Sequence, residues 1–408
     1  MFLMVGMFGY GQTTRVLFIG NSYTGVNNLP QMTYDVALST NDTLIIDSHT
    51  PGGQRLMNHA SSTQALAKIN SQQWDYVVLQ AQSQEPSWPI SQVETEVYPY
   101  AKQLCDLIRA NNTCSMPVFY MTWGRKNGDA SNCASWPPVC TYVGMDSLLN
   151  ERYQAMGKDN DAFVSPVGAV WHYIRENYPQ IELYNADESH PSVAGSYAAA
   201  CTFYSVFLRK DPTFITVTAG LSSIEAKNIR ASVKYIVYDD LVKWNIGEYD
   251  PVADFSYTQS GSSFDFSNLS VNATSYWWGF GDGDTSIVEN PHHNFIGLVG
   301  ETFSVKLKAE KCGLLSEKND TVTVVLGVEE LSESKVNLYP NPSCNSIVVE
   351  IESPNPNHDV QIRVFDLNGK LVFKKMVQNN QVVFSVSNFP VGMYTYIIGD
   401  NSGSFIVE

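Results

Sequence analysis

The stretch that decides the fold is Arg15–Pro30, RVLFIGNSYTGVNNLP. Val16 to Ile19 form an apolar run without polar alternation, which reads as a strand buried on both faces. The run ends abruptly in Gly20-Asn21-Ser22-Tyr23-Thr24. A small hydroxyl residue at the carboxyl end of a buried strand has two readings, a turn residue or a presented nucleophile, and the residues around it have to decide between them.

Working outward, four more short β-rich runs follow: DTLIIDS, WDYVVLQAQ, MPVFYMTW and DAFVSPVG. Helical patterns lie between and after them, in PQMTYDVALST, STQALAKINS, VETEVYPYAKQLCDLIRANN, MDSLLNERYQAMGKD and PSVAGSYAAACTFYSVFLRK. This alternation predicts an α/β unit with a parallel sheet sandwiched by helices over residues 13–248. In such sheets ligands gather beyond the carboxyl ends of the strands. Four segments stand there: Asn21-Ser22; Gly52-Gly53 in HTPGGQRLMNH; Gln80, Gln82 and Gln84 in LQAQSQEP; and Asp187 with His190 in NADESHPSVAGSY. Ser22 supplies a hydroxyl, His190 a base, Asp187 an orienting carboxylate three residues before it, and Gly53 and a glutamine supply donors for an oxyanion. These are the parts that acyl transfer through a serine requires. Singly, each has an ordinary explanation as a turn, a helix cap or a polar loop.

The 408 residues carry 41 acidic and 25 basic side chains, a formal charge of −16. That balance argues against nucleic acid as a partner. No run approaches the eighteen apolar residues of a membrane span, so no transmembrane segment is expected. Residues 1–12, apolar with small residues near the end, read as the remnant of an export signal. Seven cysteines suit an oxidising compartment, and two local pairs are expected, Cys133 with Cys140 and Cys105 with Cys114, while Cys201 reads as a buried thiol. From Phe255 the texture changes to short alternating strands and Gly, Ser and Asn turns. It predicts two all-β sandwiches, residues 249–328 and 329–408, joined by the acidic GVEELSESK. Asn368-Gly369 between β-rich runs signals a hairpin.

The order of IGNSYT, PGGQRL, LQAQSQE and DESHPS resembles the SGNH (GDSL-like) hydrolases over about residues 15–210. The resemblance implies a flavodoxin-like fold and a serine esterase without metal or cofactor. Ser22 takes the place of the nucleophile, and Asp187 and His190 those of the other triad members. The Ser22 and Gly53 N–H groups become oxyanion donors. Block I here reads Gly-Asn-Ser in place of Gly-Asp-Ser, and block III has glutamines in place of Gly-x-Asn, so the third donor falls to Gln82, with Gln84 and Gln80 behind it. Asn21, Tyr23 and Trp123 are expected to bind substrate. The implied substrate is an acylated carbohydrate or another small ester; the competing reading is a surface glycan-binding adhesin that kept the fold without the activity. SYWWGFGDGDTSIVENPHHNF resembles the PKD domain, with Gly281-Asp282-Gly283 as a tight turn first and a calcium site second. VNLYPNPS, IRVFDLNGKLV and FPVGMYTYII resemble the sorting domain of the type IX secretion system. That system's machinery is then a partner, and the protein is secreted or held at the cell surface.

Overall fold

Strands whose residues are apolar throughout need cover on both faces, and helices supply it. In the computed structural model, which describes residues 13–296, 299–325, 335–352, 361–377, 380–399 and 401–408, the five runs form one sheet. Its strands are β1 (Thr14–Ile19), β2 (Leu44–His49), β3 (Tyr76–Leu79), β4 (Met116–Tyr120) and β5 (Phe163–Ser165). They lie in the order β2-β1-β3-β4-β5, and every pairing is parallel. This is the flavodoxin-like order, whose switch point lies between β1 and β3. Ser22 follows β1 and the glutamines follow β3, so the two strands flanking the switch point deliver both. The reading of residues 1–12 and most of the acidic linker lie outside the described residues.

Ten α-helices are described: α1 (Ser22–Gly25), α2 (Leu29–Leu38), α3 (Leu56–Ser61), α4 (Thr63–Ile69), α5 (Ile90–Glu96), α6 (Tyr98–Asn111), α7 (Tyr142–Asp159), α8 (Val167–Asn177), α9 (Val193–Leu208) and α10 (Ser223–Ile236). The long pattern VETEVYPYAKQLCDLIRANN is two helices, because Pro99 lacks an N–H and starts a new first turn at α6. From Ala194 to Phe207 every residue of α9 is buried. Its Ala-rich stretch lets it lie close against the sheet, where Phe203 meets Phe18 and Tyr120 edge-on at 5.1 and 5.0 Å.

Beyond Trp244 the chain is β-structure. The middle unit comprises β6 (Phe255–Ser260), β7 (Ser263–Asn268), β8 (Ser275–Gly279), β9 (Thr285–Ser286), β10 (His292–Asn294), β11 (Thr302–Lys311) and β12 (Leu314–Thr323), in sheets β10-β7-β6 and β12-β11-β8-β9 around Trp278, Phe264, Phe266 and Phe295. The last unit runs from β13 (Lys335–Tyr339) to β19 (Asn401–Val407) in two sheets, and Asn368-Gly369 turns the hairpin between β15 (Gln361–Phe365) and β16 (Leu371–Met376), with Gly369 at φ +75°.

Cys133 pairs with Cys140 as expected, but Cys105 does not pair with Cys114. Cys105 is on the core side of α6 and wholly buried, whereas Cys114 lies past the helix end and is bonded to Cys312, 198 residues later, at a Cα separation of 5.4 Å. Local spacing suggested the wrong partner because the right one sits on the turn between β11 (Thr302–Lys311) and β12 of the next unit. Cys114 precedes β4, so this bond fastens the middle unit at the amino ends of the strands, the pole opposite Ser22. Cys201 is buried and free.

Candidate active site

β1 stops at Gly20 because the next turn needs room. A Cβ at Gly20 would stand 2.5 Å from Thr24 Oγ1 and 2.7 Å from Gln80 Oε1. Those contacts are the turn's own scaffold: Gln80 Oε1 accepts from Asn21 N (2.9 Å) and from Thr24 Oγ1 (2.9 Å). Asn21 caps α1, its Oδ1 accepting from Tyr23 N at 3.0 Å, and its Nδ2 donates to Gln54 O at 3.0 Å. The first N–H groups of a helix have no intrahelical partner. The cap engages Tyr23 N, while Ser22 N makes no hydrogen bond within the described residues.

Ser22 Oγ lies 2.8 Å from His190 Nε2, and His190 Nδ1 lies 2.5 Å from Asp187 Oδ2. The connection spans 168 residues, and the turn that makes it is self-bracing. Asp187 Oδ1 accepts from Ser189 N (3.1 Å) and His190 N (3.0 Å), Asn185 N donates to His190 O at 2.8 Å, and Glu188 occupies the left-handed region at φ +59°. Partial burial works to raise the Asp187 carboxyl, but hydrogen bonds from the His190 ring and the backbone outweigh it and hold the group below the usual carboxylate range. An ionised carboxylate only accepts, so Nδ1 carries the ring proton and Nε2 presents its lone pair to the Ser22 hydroxyl.

Beneath this turn lies an aromatic stack. Tyr23 is parallel to Trp123 at 5.0 Å, and Trp123 to Trp171 at 3.6 Å. The Tyr23 hydroxyl is 2.6 Å from Ser189 Oγ, and Trp123 Nε1 donates to Ser189 O at 3.1 Å. Asn21, Tyr23 and Trp123, expected to touch substrate, are therefore corrected to supports. They are 3, 2 and 0% exposed; Tyr23 and Trp123 spend their polar atoms on Ser189 beside His190, and Asn21 divides its own between the Ser22 turn and Gln54 O. Ser189 and the stack were missed, since a Trp in a loop carries no sign of which side it faces.

The three glutamines separate by hydrogen-bond accounting. Gln80 is fully buried, its carbonyl committed to the Ser22 turn and its amide to Ala81 O, which corrects its candidacy as an oxyanion donor. Gln84 Nε2 donates to Asp129 Oδ2 at 2.8 Å. Gln82 Oε1 accepts from Gln84 N (2.8 Å), and its Nε2 donates one hydrogen to Gln84 Oε1 (3.2 Å), leaving the second unspent within the described residues. Gly53 is exposed at φ +70°, a conformation that costs glycine little, and its N–H has no partner within the described residues. Arg55, two residues on, pairs with buried Glu85 and with Glu96 (2.6 Å) and lies 5.4 Å over Trp88. That link ties the Gly53 loop to the glutamine loop, and nothing in the sequence pattern marked it.

His59 in α3 is fully buried against His49, with ring centroids 5.6 Å apart, and among the described residues neither ring nitrogen has a hydrogen-bond partner. Burial, reinforced by His49, pushes its imidazole from an ordinary 6.5 down to about 4. Between those values the unfolded chain binds a proton that the folded chain refuses, so stability falls as pH drops through the window and is retained above it. The shift corresponds to roughly 3 kcal/mol at most. Urea midpoints measured from pH 7 to pH 4 should decline in the wild type and decline less in His59→Leu. Parallel curves would show that His59 is not the group responsible.

In the middle unit, Asp282 Oδ2 lies 2.6 Å from His293 Nε2, and His293 stacks on Phe280 at 4.0 Å. The Gly281-Asp282-Gly283 turn is closed by this pair, with Asp284 close by.

Residues 337–408 match the secretion system C-terminal sorting domain. The chain therefore carries a type IX sorting domain, the mark of a protein that is secreted or displayed at the cell surface. No curated protein matches the sequence. Among solved structures, the chain is similar to a DUF4886 family protein from Bacteroides uniformis (16% identity over 57% of this chain and 95% of that one, TM-score 0.48). It is also similar to a protein from Slackia heliotrinireducens described as "a putative SGNH hydrolase" (27% identity, 47% and 97%, TM-score 0.39). The PKD1 domain of a Vibrio cholerae metalloprotease, PrtV, matches a further 19% of the chain at 30% identity, with 98% of that domain covered and a TM-score of 0.18. SGNH/GDSL hydrolase structures match the amino-terminal region, and PKD structures match a middle region.

Proposed function

We propose that the protein is an exported serine esterase of SGNH type that removes acetyl or other short acyl groups from a carbohydrate outside the cell. The observation that carries this reading is the continuous chain Ser22 Oγ, His190 Nε2, His190 Nδ1, Asp187 Oδ2, at 2.8 and 2.5 Å. Ser22 Oγ attacks the ester carbonyl while its proton passes to His190 Nε2. The carbonyl oxygen takes up negative charge and is met by the N–H groups of Ser22 and Gly53 and by the free Gln82 amide hydrogen. Collapse breaks the bond to the sugar oxygen, which leaves with the proton from His190. Water then attacks the acyl-Ser22 carbonyl, giving its proton to His190, and the acid departs as the proton returns to Ser22. The strand-end site, with backbone and amide donors, suits a neutral ester; Arg55, beside the Gly53 loop, is already spent on Glu85 and Glu96.

The test is covalent. The full-length protein, incubated with a fluorophosphonate, should gain one adduct that peptide mass spectrometry maps to Ser22, and should release acetate from an acetylated polysaccharide. Acetate release from a protein whose adduct lies on another residue would overturn the assignment.

A further inference from the structure

The loop after β4 reaches into the glutamine segment through one buried carboxylate. Asp129 is fully buried, and the Cys133–Cys140 bond closes the loop just beyond it. Its Oδ2 accepts from Gln84 Nε2 (2.8 Å) and Asn132 Nδ2 (2.6 Å), and its Oδ1 from Ser131 N (3.1 Å) and Arg125 Nη1 (3.3 Å). The backbone is pinned as well: Asp129 N donates to Val139 O at 2.7 Å, and Asp129 O accepts from Asn132 N and Cys133 N. This residue cannot swing without opening the disulfide-closed loop.

A carboxylate that only accepts dictates the orientation of the amide facing it. Gln84 must turn its nitrogen to Asp129, which turns its Oε1 toward Gln82. That oxygen in turn accepts from Gln82 Nε2 at 3.2 Å, while Gln82 Oε1 is held by Gln84 N and Glu85 N (2.8 and 3.3 Å). Polarity thus runs from Asp129 through Gln84 to Gln82 and ends in one unspent N–H. A flip of Gln84 would present nitrogen to nitrogen at its contact with Gln82 and undo the order.

We propose that Asp129 is a positioning residue for the oxyanion hole, acting through Gln84 to keep the Gln82 amide turned as a donor. The inference rests on the esterase reading given above. It also assigns the disulfide-closed loop a task, since that loop fixes Asp129. The carboxylate is suited to this: burial opposes its charge, but the bonds from Asn132 and Gln84, with Arg125 beside it, hold the carboxyl below its usual range.

The experiment is a set of mutant cycles on the full-length protein with p-nitrophenyl acetate, reading kcat and KM separately. Gln82→Ala should lower kcat by about 10²-fold or more with KM little changed, since an oxyanion donor acts in the transition state. Asp129→Asn, close in shape, and Gln84→Leu, which leaves the disulfide-closed loop untouched, should each lower kcat by about tenfold or more. If both act through Gln82, neither adds to the loss in a Gln82→Ala background. Independent, multiplying losses would overturn the proposal, as would a wild-type kcat in either Asp129→Asn or Gln84→Leu. A Ser22→Ala protein with wild-type activity would instead overturn the esterase reading itself, so the two failures are distinct.

Discussion

Ser22→Ala is expected to lower kcat for p-nitrophenyl acetate by on the order of 10⁴-fold or more, leaving only what binding and the oxyanion donors provide. The size follows from what is removed, the atom that forms the new bond. Ser189, next to His190, has its Oγ engaged by the Tyr23 hydroxyl at 2.6 Å, and Ser83 is buried. The substitution should leave folding intact, because Ser22 is only half-buried and the turn is held by Gly20, Gln80 and the Asn21 cap. Thermal melting of the variant is the control. Activity within tenfold of wild type would exclude Ser22 as the nucleophile and return GNSYT to the role of a strand-ending turn.

What was legible in the sequence follows the range of the forces involved. Strands β1, β3, β4 and β5 could be read because burial on both faces writes itself into consecutive residues, β2, whose Ile45 is 42% exposed, only from its place in the strand–helix alternation, and the hairpin at Asn368-Gly369 because positive φ selects glycine. The pairing of Ser22 with His190 was legible only through the resemblance, since no local pattern links positions 168 apart. Side-chain facing in the loops was not legible. Trp123 and Tyr23 are flat, amphipathic residues equally suited to a sugar-stacking rim or a buried stack, and only the register of the β4 exit puts Trp123 against Trp171. Asp129 gave no sign in KNGDASNC, a stretch that reads as an ordinary polar turn, because its importance comes from a glutamine 45 residues earlier. Cys114 failed for the same reason, with its partner in another unit.

Asp187→Asn is expected to lower kcat by roughly 10²- to 10⁴-fold, and the reason is orientation as much as charge. Asp187 Oδ1 accepts two backbone N–H groups, from Ser189 and His190, so in the variant the amide oxygen must stay there. The Asn nitrogen is then forced toward His190 Nδ1. A donor facing Nδ1 selects the ring tautomer with its hydrogen on Nε2, where it can no longer take the Ser22 proton. Asp187→Ala leaves the ring free to choose its tautomer in a turn that is open to water. The structure therefore predicts an unusual order, with the isosteric Asn variant at least as impaired as Ala when kcat is compared at neutral pH. Because the Asp187 carboxyl is held below its ordinary range, its protonation does not limit the wild type near neutrality, so the comparison there isolates the tautomer. Were Ala clearly the worse of the two, the carboxylate would be acting by its charge on the imidazolium formed during acyl transfer, and tautomer selection would be the smaller effect.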